Sequence, residues 1–238
     1  MSRTWLLRLM AALMAFALVG VACNSDTTDT ATDTNTETEA PMDDEETTAS
    51  EEESPAVDTQ AATLTRDLTA LLADHEYLAG LAVVQGVTEG PDSAAFKAAA
   101  GALDKNSVQL SEAIGSVYGD AGAKKFLSLW RAHIGFFVDY TLAKAGGDQA
   151  GQKAALKKLD GYRSDFGAFI EGATEGGLPA DAVEDALKPH VESTIAAIDS
   201  VIAGDGKAFD KLREAAAHLP GIATALSGAI VMQFPEMF

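Results

Sequence analysis

The chain has 238 residues, 47% of them hydrophobic, and its formal net charge at pH 7 is −19. This acidic excess argues against nucleic acid as a partner and against electrostatic docking on anionic lipid headgroups. The chain contains one cysteine. Because a lone cysteine cannot form an internal disulfide, the folded part must be stable through its core alone.

Residues 1–22 have the organisation of a secretory signal sequence. Arg3 and Arg8 supply positive charge, and the apolar run 9–19 follows. At roughly 1.5 Å per residue this run is too short to cross about 30 Å of hydrocarbon as a helix, so it predicts an export signal. The small residues 20–22 before Cys23 resemble the bacterial lipobox, in which the cysteine receives a diacylglycerol and becomes the first mature residue. The resemblance implies a lipoprotein anchored to the cell membrane through Cys23 and facing the extracytoplasmic side.

Residues 23–60 are predicted to form a disordered acidic tether. Residues 24–60 include 13 Asp and Glu, no Lys or Arg and no aromatic residue. Such a segment buries too little apolar surface to offset the entropy lost on ordering, and its charges repel one another. A flexible chain of this length spans on the order of 35 Å, and the repulsion extends it further.

Residues 61–238 are predicted to fold as one all-α domain. Gly and Pro residues divide this part into six stretches with apolar residues at spacings of three and four, at 62–87, 92–118, 121–145, 149–173, 180–203 and 207–234. His75, His133 and His190 recur 58 and 57 residues apart, and a Gly/Asp turn follows each. We interpret this as three tandem helical hairpins, at about 61–119, 120–177 and 178–238, that close into a six-helix bundle. A short solenoid is the alternative.

The three repeated histidines lie on the apolar stripes of their helices, so their imidazoles are expected to point inward at a similar level. One interpretation is that they converge with His218 on copper, zinc or a haem, since neutral imidazole suits these groups. The other is that duplication copied a structural histidine that hydrogen-bonds within the core. No helix carries a local ligand pair such as HxxxH or Glu-x-x-His, so the first interpretation depends on tertiary convergence. Asp74 and Glu76, which flank His75, are expected to be solvated.

The densest aromatic patch contains Trp130, Phe137 and Tyr140. We expect these side chains to pack in the core, with a ligand pocket as the alternative. The sequence contains no Gly-rich phosphate loop, no nucleophile elbow and no spacing that suggests a Ser/His/Asp arrangement. These patterns therefore predict a protein that is not an enzyme.

Two segments resemble a family of exported helical lipoproteins from Gram-positive and related bacteria. They are Leu-Trp-Arg-Ala-His-Ile-Gly-Phe-Phe-Val-Asp-Tyr-Thr at 129–141 and Leu-Asp-Gly-Tyr-Arg-Ser-Asp-Phe at 159–166. The resemblance covers most of residues 61–238. It implies an extracytoplasmic helical domain and does not specify an activity.

These observations lead to one main functional hypothesis and two alternatives. The main hypothesis is a membrane-anchored, extracytoplasmic helical module that binds an envelope partner or a small ligand. The first alternative is a metal or haem protein that uses His75, His133, His190 and His218. A hydrolytic enzyme is the more distant alternative. The distances between the imidazoles separate the hypotheses, because the ligand nitrogens of one metal lie about 2.0–2.1 Å from it.

Overall fold

A computed structural model of the chain describes residue 57 and residues 59–238. The predicted signal sequence, Cys23 and nearly all of the predicted tether lie outside the described residues. The regular secondary structure of residues 59–238 is entirely helical, so the predicted all-α class is confirmed. In chain order the helices are α1 Gln60–Thr88, α2 Ala94–Ala145, α3 Gln149–Ala173, α4 Ala180–Ala203, α5 Ala208–Ala217 and α6 Leu219–Gln233, followed by a 3₁₀ turn at Pro235–Met237.

Short polar side chains begin the first three helices. The side chains of Thr59, Ser93 and Asp148 accept hydrogen bonds from backbone N–H groups in the first turns of α1, α2 and α3. Helix α1 consequently begins at Gln60, two residues before the predicted start and inside the segment predicted as tether. The Thr59 cap is the physical reason, because it satisfies the N–H of Ala62.

Helix α2 is two helices joined at a single residue. Gly119 has φ 70° and ψ −178°, a conformation that glycine adopts without steric cost, and it lies at the predicted turn. The two halves fold back on each other. Ser111 donates to the carbonyl of Ala123 at 3.0 Å, and Arg131 forms an ion pair with Asp104 at 2.8 Å.

The prediction of one continuous helix at 207–234 was wrong in one respect, because the structure divides this stretch into two helices. Helix α5 ends at Ala217, His218 caps it, and α6 begins at Leu219. Pro220 explains the interruption, because proline has no N–H to continue the hydrogen-bond ladder and is tolerated in the first turn of a helix. His218 therefore lies at a junction rather than inside a helix.

The helices form a closed bundle. Each sequential pair from α1 to α6 packs together, and α6 returns to pack against α1, which also contacts α4 and α5. Helix α1 therefore has neighbours on several sides. The main core cluster draws apolar side chains from every helix except α5, among them Leu72, Leu110, Trp130, Phe166, Leu187 and Ile222.

One stretch of the described chain, Ala208–Gln233, is long and apolar enough to cross a membrane by length and composition. Half of its most apolar window is buried against the other helices. A core helix of a bundle has the same composition, so this burial accounts for the apolar character of α6.

Candidate functional site

The structure brings the three repeated histidines into one buried layer. His75 lies in the middle of α1, His133 in the second half of α2 and His190 in the middle of α4, and each is less than 10% exposed. The ring centroids of His75 and His133 are 5.4 Å apart. His190 is close enough to both rings to lower their pKa by electrostatic repulsion.

The fourth histidine is at the edge of this layer. His218 is partly exposed and does not line the cavity described below. Desolvation by burial is the main cause of the lowered pKa of His190, and electrostatic repulsion by His218 adds to it.

Trp130 fixes the protonation pattern of His75. The indole Nε1 donates to Nδ1 of His75 at 3.3 Å. Because an indole N–H can only donate, Nδ1 accepts and the proton of this neutral imidazole is on Nε2. The Trp130 ring also packs against both His75 and His133, with centroid distances of 4.7 and 4.6 Å.

The backbone of α5 fixes the opposite pattern in His190. Its Nδ1 lies 3.2 Å from the carbonyl oxygen of Ala215. Because a carbonyl can only accept, Nδ1 carries the proton and Nε2 has the free lone pair. This Nε2 atom lies 3.7 Å from Oε2 of Glu76.

Glu76 is a site residue that the sequence analysis missed. Its predicted solvation was wrong, since only 2% of the residue is exposed, whereas Asp74 is exposed as expected. The physical reason is that α1 has neighbours on several sides, so a second face is buried besides the one that carries His75. The sequence does contain a pattern that indicates burial of Glu76. Small and apolar residues at 79, 80, 83 and 87 lie on the same face of the helix as Glu76.

Among the described residues, one side chain donates a hydrogen bond to Glu76, and that bond is weak. The Thr194 hydroxyl is 3.3 and 3.4 Å from the two carboxyl oxygens, but it is closer, at 2.9 Å, to the carbonyl of His190 in its own helix. The ion pairs that Lys and Arg form among the described residues do not include Glu76.

Burial shifts the pKa of every titratable group in the layer towards its neutral form. Desolvation raises the pKa of Glu76 to about 7, with Thr194 opposing the shift. Desolvation lowers the pKa of His75 to about 3 and that of His190 to about 4. The pKa of His133 is also held well below its usual value, by burial and by the other two histidines. The histidines are therefore neutral at pH 7, whereas the pKa of Glu76 lies close to neutral pH.

An apolar cavity of about 100 Å³ lies on one side of the histidine layer. Its wall comes from α1, α2, α4 and the first turn of α5, and it includes His75, Glu76, His133, His190 and Thr194 among apolar residues such as Val83, Phe137 and Ile198. Phe209 lines it and is 64% exposed, so the cavity approaches the surface beneath the first turn of α5.

A smaller cavity of about 30 Å³ lies on the other side of the layer. His75, His133, Phe137 and His190 line both cavities, so these rings separate them. A buried polar atom without a hydrogen-bond partner among the described residues lies nearby. It is the hydroxyl of Tyr162, whose ring stacks on His133 and which lines the smaller cavity. Buried polar atoms usually have a partner, so this position is suited to a bound water or ligand atom.

The three predicted pocket aromatics have different roles. Phe137 lines both cavities, and Trp130 lines the smaller one while it donates to His75. Tyr140 lies in a separate small core cluster, where its hydroxyl donates to Asp199 at 2.9 Å. It lines neither of the two cavities beside the histidine layer.

Convergence of the histidines does not by itself produce a metal centre. Within the described part of the chain, no three His, Cys, Asp or Glu side chains are arranged so that they could hold a metal ion. Two acceptors of the layer, Nε2 of His190 and the Glu76 carboxyl, face each other at 3.7 Å. A haem does not fit a cavity of about 100 Å³.

No family model matches the chain, and neither a search of curated proteins nor one of solved structures gives a match.

Proposed function

We propose that this protein is an exported binding module that holds one small, largely apolar molecule in the cavity beside its histidine layer. One observation carries the proposal: an apolar cavity ends at a small group of convergent polar side chains whose pKa values are shifted by burial. A cavity of this kind is the usual form of a small-molecule site in a helical bundle. The export signal and Cys23, on the sequence evidence, support a location outside the cell membrane.

The size of the cavity limits the ligand. An engineered cavity of about 150 Å³ in another protein binds benzene, so about 100 Å³ accommodates a molecule of roughly four non-hydrogen atoms. The polar atoms at one end orient such a ligand, and the apolar wall contributes the free energy of burial.

The proposal is tested with probes of this size. The full chain, purified in detergent, is titrated with 1-propanol, acetate and n-propylammonium while protein NMR signals are followed. Ala79→Leu adds three carbons at the cavity wall, and Ala168→Leu makes the same change at an exposed position of α3. We expect at least one probe to bind the wild type and the Ala168→Leu variant, and to bind Ala79→Leu at least about tenfold more weakly. Equal binding to all three proteins, or none at all, would overturn the proposal.

Metal binding is the second candidate function. The described residues form no group of three metal ligands, so the candidate depends on one feature of His190. Metal-ligating histidines commonly donate their other ring N–H to a backbone carbonyl, as Nδ1 of His190 does to Ala215. A titration with Cu(II) and Zn(II), compared between the wild type and His133→Ala, tests this candidate. Stoichiometric binding that His133→Ala weakens would support it, and an absence of stoichiometric binding would exclude it.

A further inference from the structure

Two hydrogen-bond acceptors face each other at the polar end of the cavity. One is the carboxyl of Glu76, and the other is Nε2 of His190, whose lone pair is free because Nδ1 carries the proton. At 3.7 Å they are too far apart for a good direct hydrogen bond. Both line the same cavity, and a donor atom in the cavity, to one side of the line that joins them, can lie at an ordinary hydrogen-bond distance from both.

The net charge at the polar end of the cavity is negative or zero. Glu76 is buried, its one hydroxyl donor is shared with a backbone carbonyl, and the histidines around it are neutral at pH 7. Helix α5 adds Ala208, Phe209 and Leu212 to the cavity wall, and none of these carries charge. A buried carboxylate without a cationic partner is unfavourable, so a positively charged donor group is the complement that this end lacks.

The rest of the cavity wall is apolar. Val83, Phe137 and Ile198 are typical of it, and they come from three different helices. Such a wall suits an alkyl chain, whereas a bare metal ion would leave most of this surface without contacts.

We propose that the cavity binds a small primary amine in its ammonium form, with the ammonium group donating to Glu76 and to Nε2 of His190 and the alkyl chain lying against the apolar wall. This proposal rests on the proposed function and specifies the chemical class of the ligand. The ammonium group supplies three N–H donors and one positive charge, which match the two facing acceptors and the buried carboxylate.

The test compares probes of equal size and different charge. n-Propylammonium and 1-propanol each have four non-hydrogen atoms, but only the first is charged. The best ligands of this size reach dissociation constants on the order of tens of micromolar, so titrations of the full chain extend into the millimolar range. We expect n-propylammonium to bind about tenfold or more tightly than 1-propanol.

Two Glu-to-Gln variants make the test specific. Glu76→Gln removes the charge and keeps the shape, and we expect it to lose about tenfold or more in affinity for n-propylammonium while its affinity for 1-propanol stays unchanged. Glu192→Gln is the matched control, since Glu192 is exposed on the same helix as His190. A circular dichroism melt of each variant verifies that it is folded.

The outcomes separate this proposal from the one on which it rests. If 1-propanol or acetate binds as tightly as n-propylammonium, or if Glu76→Gln binds the amine as well as the wild type does, the amine proposal is overturned and the binding module stands. If none of the probes binds, both proposals fail. Binding of Zn(II) or Cu(II) without any binding of the amine also overturns the amine proposal.

Discussion

Glu76 and the three histidines respond to pH in opposite directions. The folded state raises the pKa of Glu76 from 4.5 to about 7, so the stability associated with its protonated form is fully present below pH 4.5 and lost as the pH rises through 7. The folded state lowers the pKa of His75 from 6.5 to about 3, so the stability associated with its neutral form is present above pH 6.5 and lost as the pH falls towards 3.

The Glu76→Gln variant isolates the contribution of the Glu76 carboxyl group to the pH dependence of stability. We expect this variant to be more stable than the wild type at pH 8 by about 1–3 kcal/mol, and the difference to shrink towards pH 5, where Glu76 is mostly protonated in the folded state. Urea unfolding at pH 5, 6.5 and 8 measures this. Glu192→Gln, at an exposed position, should show a small difference that does not change with pH. A destabilised Glu76→Gln variant at pH 8 would contradict the assignment of Glu76 as a buried, poorly paired carboxylate.

Trp130 and Tyr162 present opposite cases of a buried polar group beside a histidine. The indole N–H of Trp130 is the partner of Nδ1 in His75, whereas the hydroxyl of Tyr162 has no hydrogen-bond partner within the described structure. Trp130→Phe should cost about 2–4 kcal/mol, partly through lost volume and partly because the acceptor on His75 is left unpaired. Tyr162→Phe should change stability by less than about 1 kcal/mol. Thermal melts of both variants test the contrast, and equal losses would show that the indole hydrogen bond contributes nothing measurable.

At the scale of the elements, α3 and α4 meet at a glycine. A Cβ atom on Gly167 would lie 2.6 Å from the backbone oxygen of Ala180, at the start of α4. Gly161, in the same helix, is exposed, and a Cβ atom there would meet no described atom within 4 Å beyond the adjacent backbone of its own helix.

The two glycines form a matched pair for mutation. Gly167→Ala should destabilise the protein by about 1–3 kcal/mol, since the α4 backbone would have to move away. Gly161→Ala should stabilise it by about 0.5–1 kcal/mol, because alanine loses less backbone entropy in a helix interior. Denaturant unfolding of both variants measures these two changes in stability. An equal gain in stability in both variants would mean that α3 and α4 do not approach each other this closely.

Most helix boundaries were predictable because turn residues mark them. The bounds of α3 and α4 agree with the predicted ranges 149–173 and 180–203, where Gly and Pro turns separate the helices. The break at His218 was not predicted, since the apolar periodicity continues across Pro220. The division into three repeated hairpins remains an interpretation of the sequence.

The candidate site was predictable only in part. The periodicity placed the three histidines on inward faces, but their meeting in one layer depends on how the helices associate, which no local pattern contains. Glu76 was missed because a charged residue beside a histidine is usually solvated. Its burial follows from the several neighbours of α1, a property of the assembled bundle.

At the scale of the whole molecule, the sequence predicts that a lipid on Cys23 and the acidic segment after it hold the bundle near a membrane. Cys23→Ala should move the protein from the membrane fraction to the soluble fraction, because the lipid-bearing thiol is absent. Fractionation of cells with detergent phase separation measures this, and a circular dichroism melt verifies that the bundle is unchanged. Retention of Cys23→Ala in the membrane would contradict a lipid anchor and draw attention to the apolar stretch Ala208–Gln233.

The central claim, that a small ligand enters the cavity beside the histidine layer, is tested most directly by methyl NMR of the full chain during titration with n-propylammonium. The methyl groups of Val83, Ile198 and Val201 line the cavity, whereas those of Leu110 and Ile114 belong to the main core cluster. We predict saturable shifts of the first three methyl signals and small shifts of the other two. Saturable shifts elsewhere with unchanged Val83, Ile198 and Val201 signals, or no saturable shifts at all, would contradict the claim.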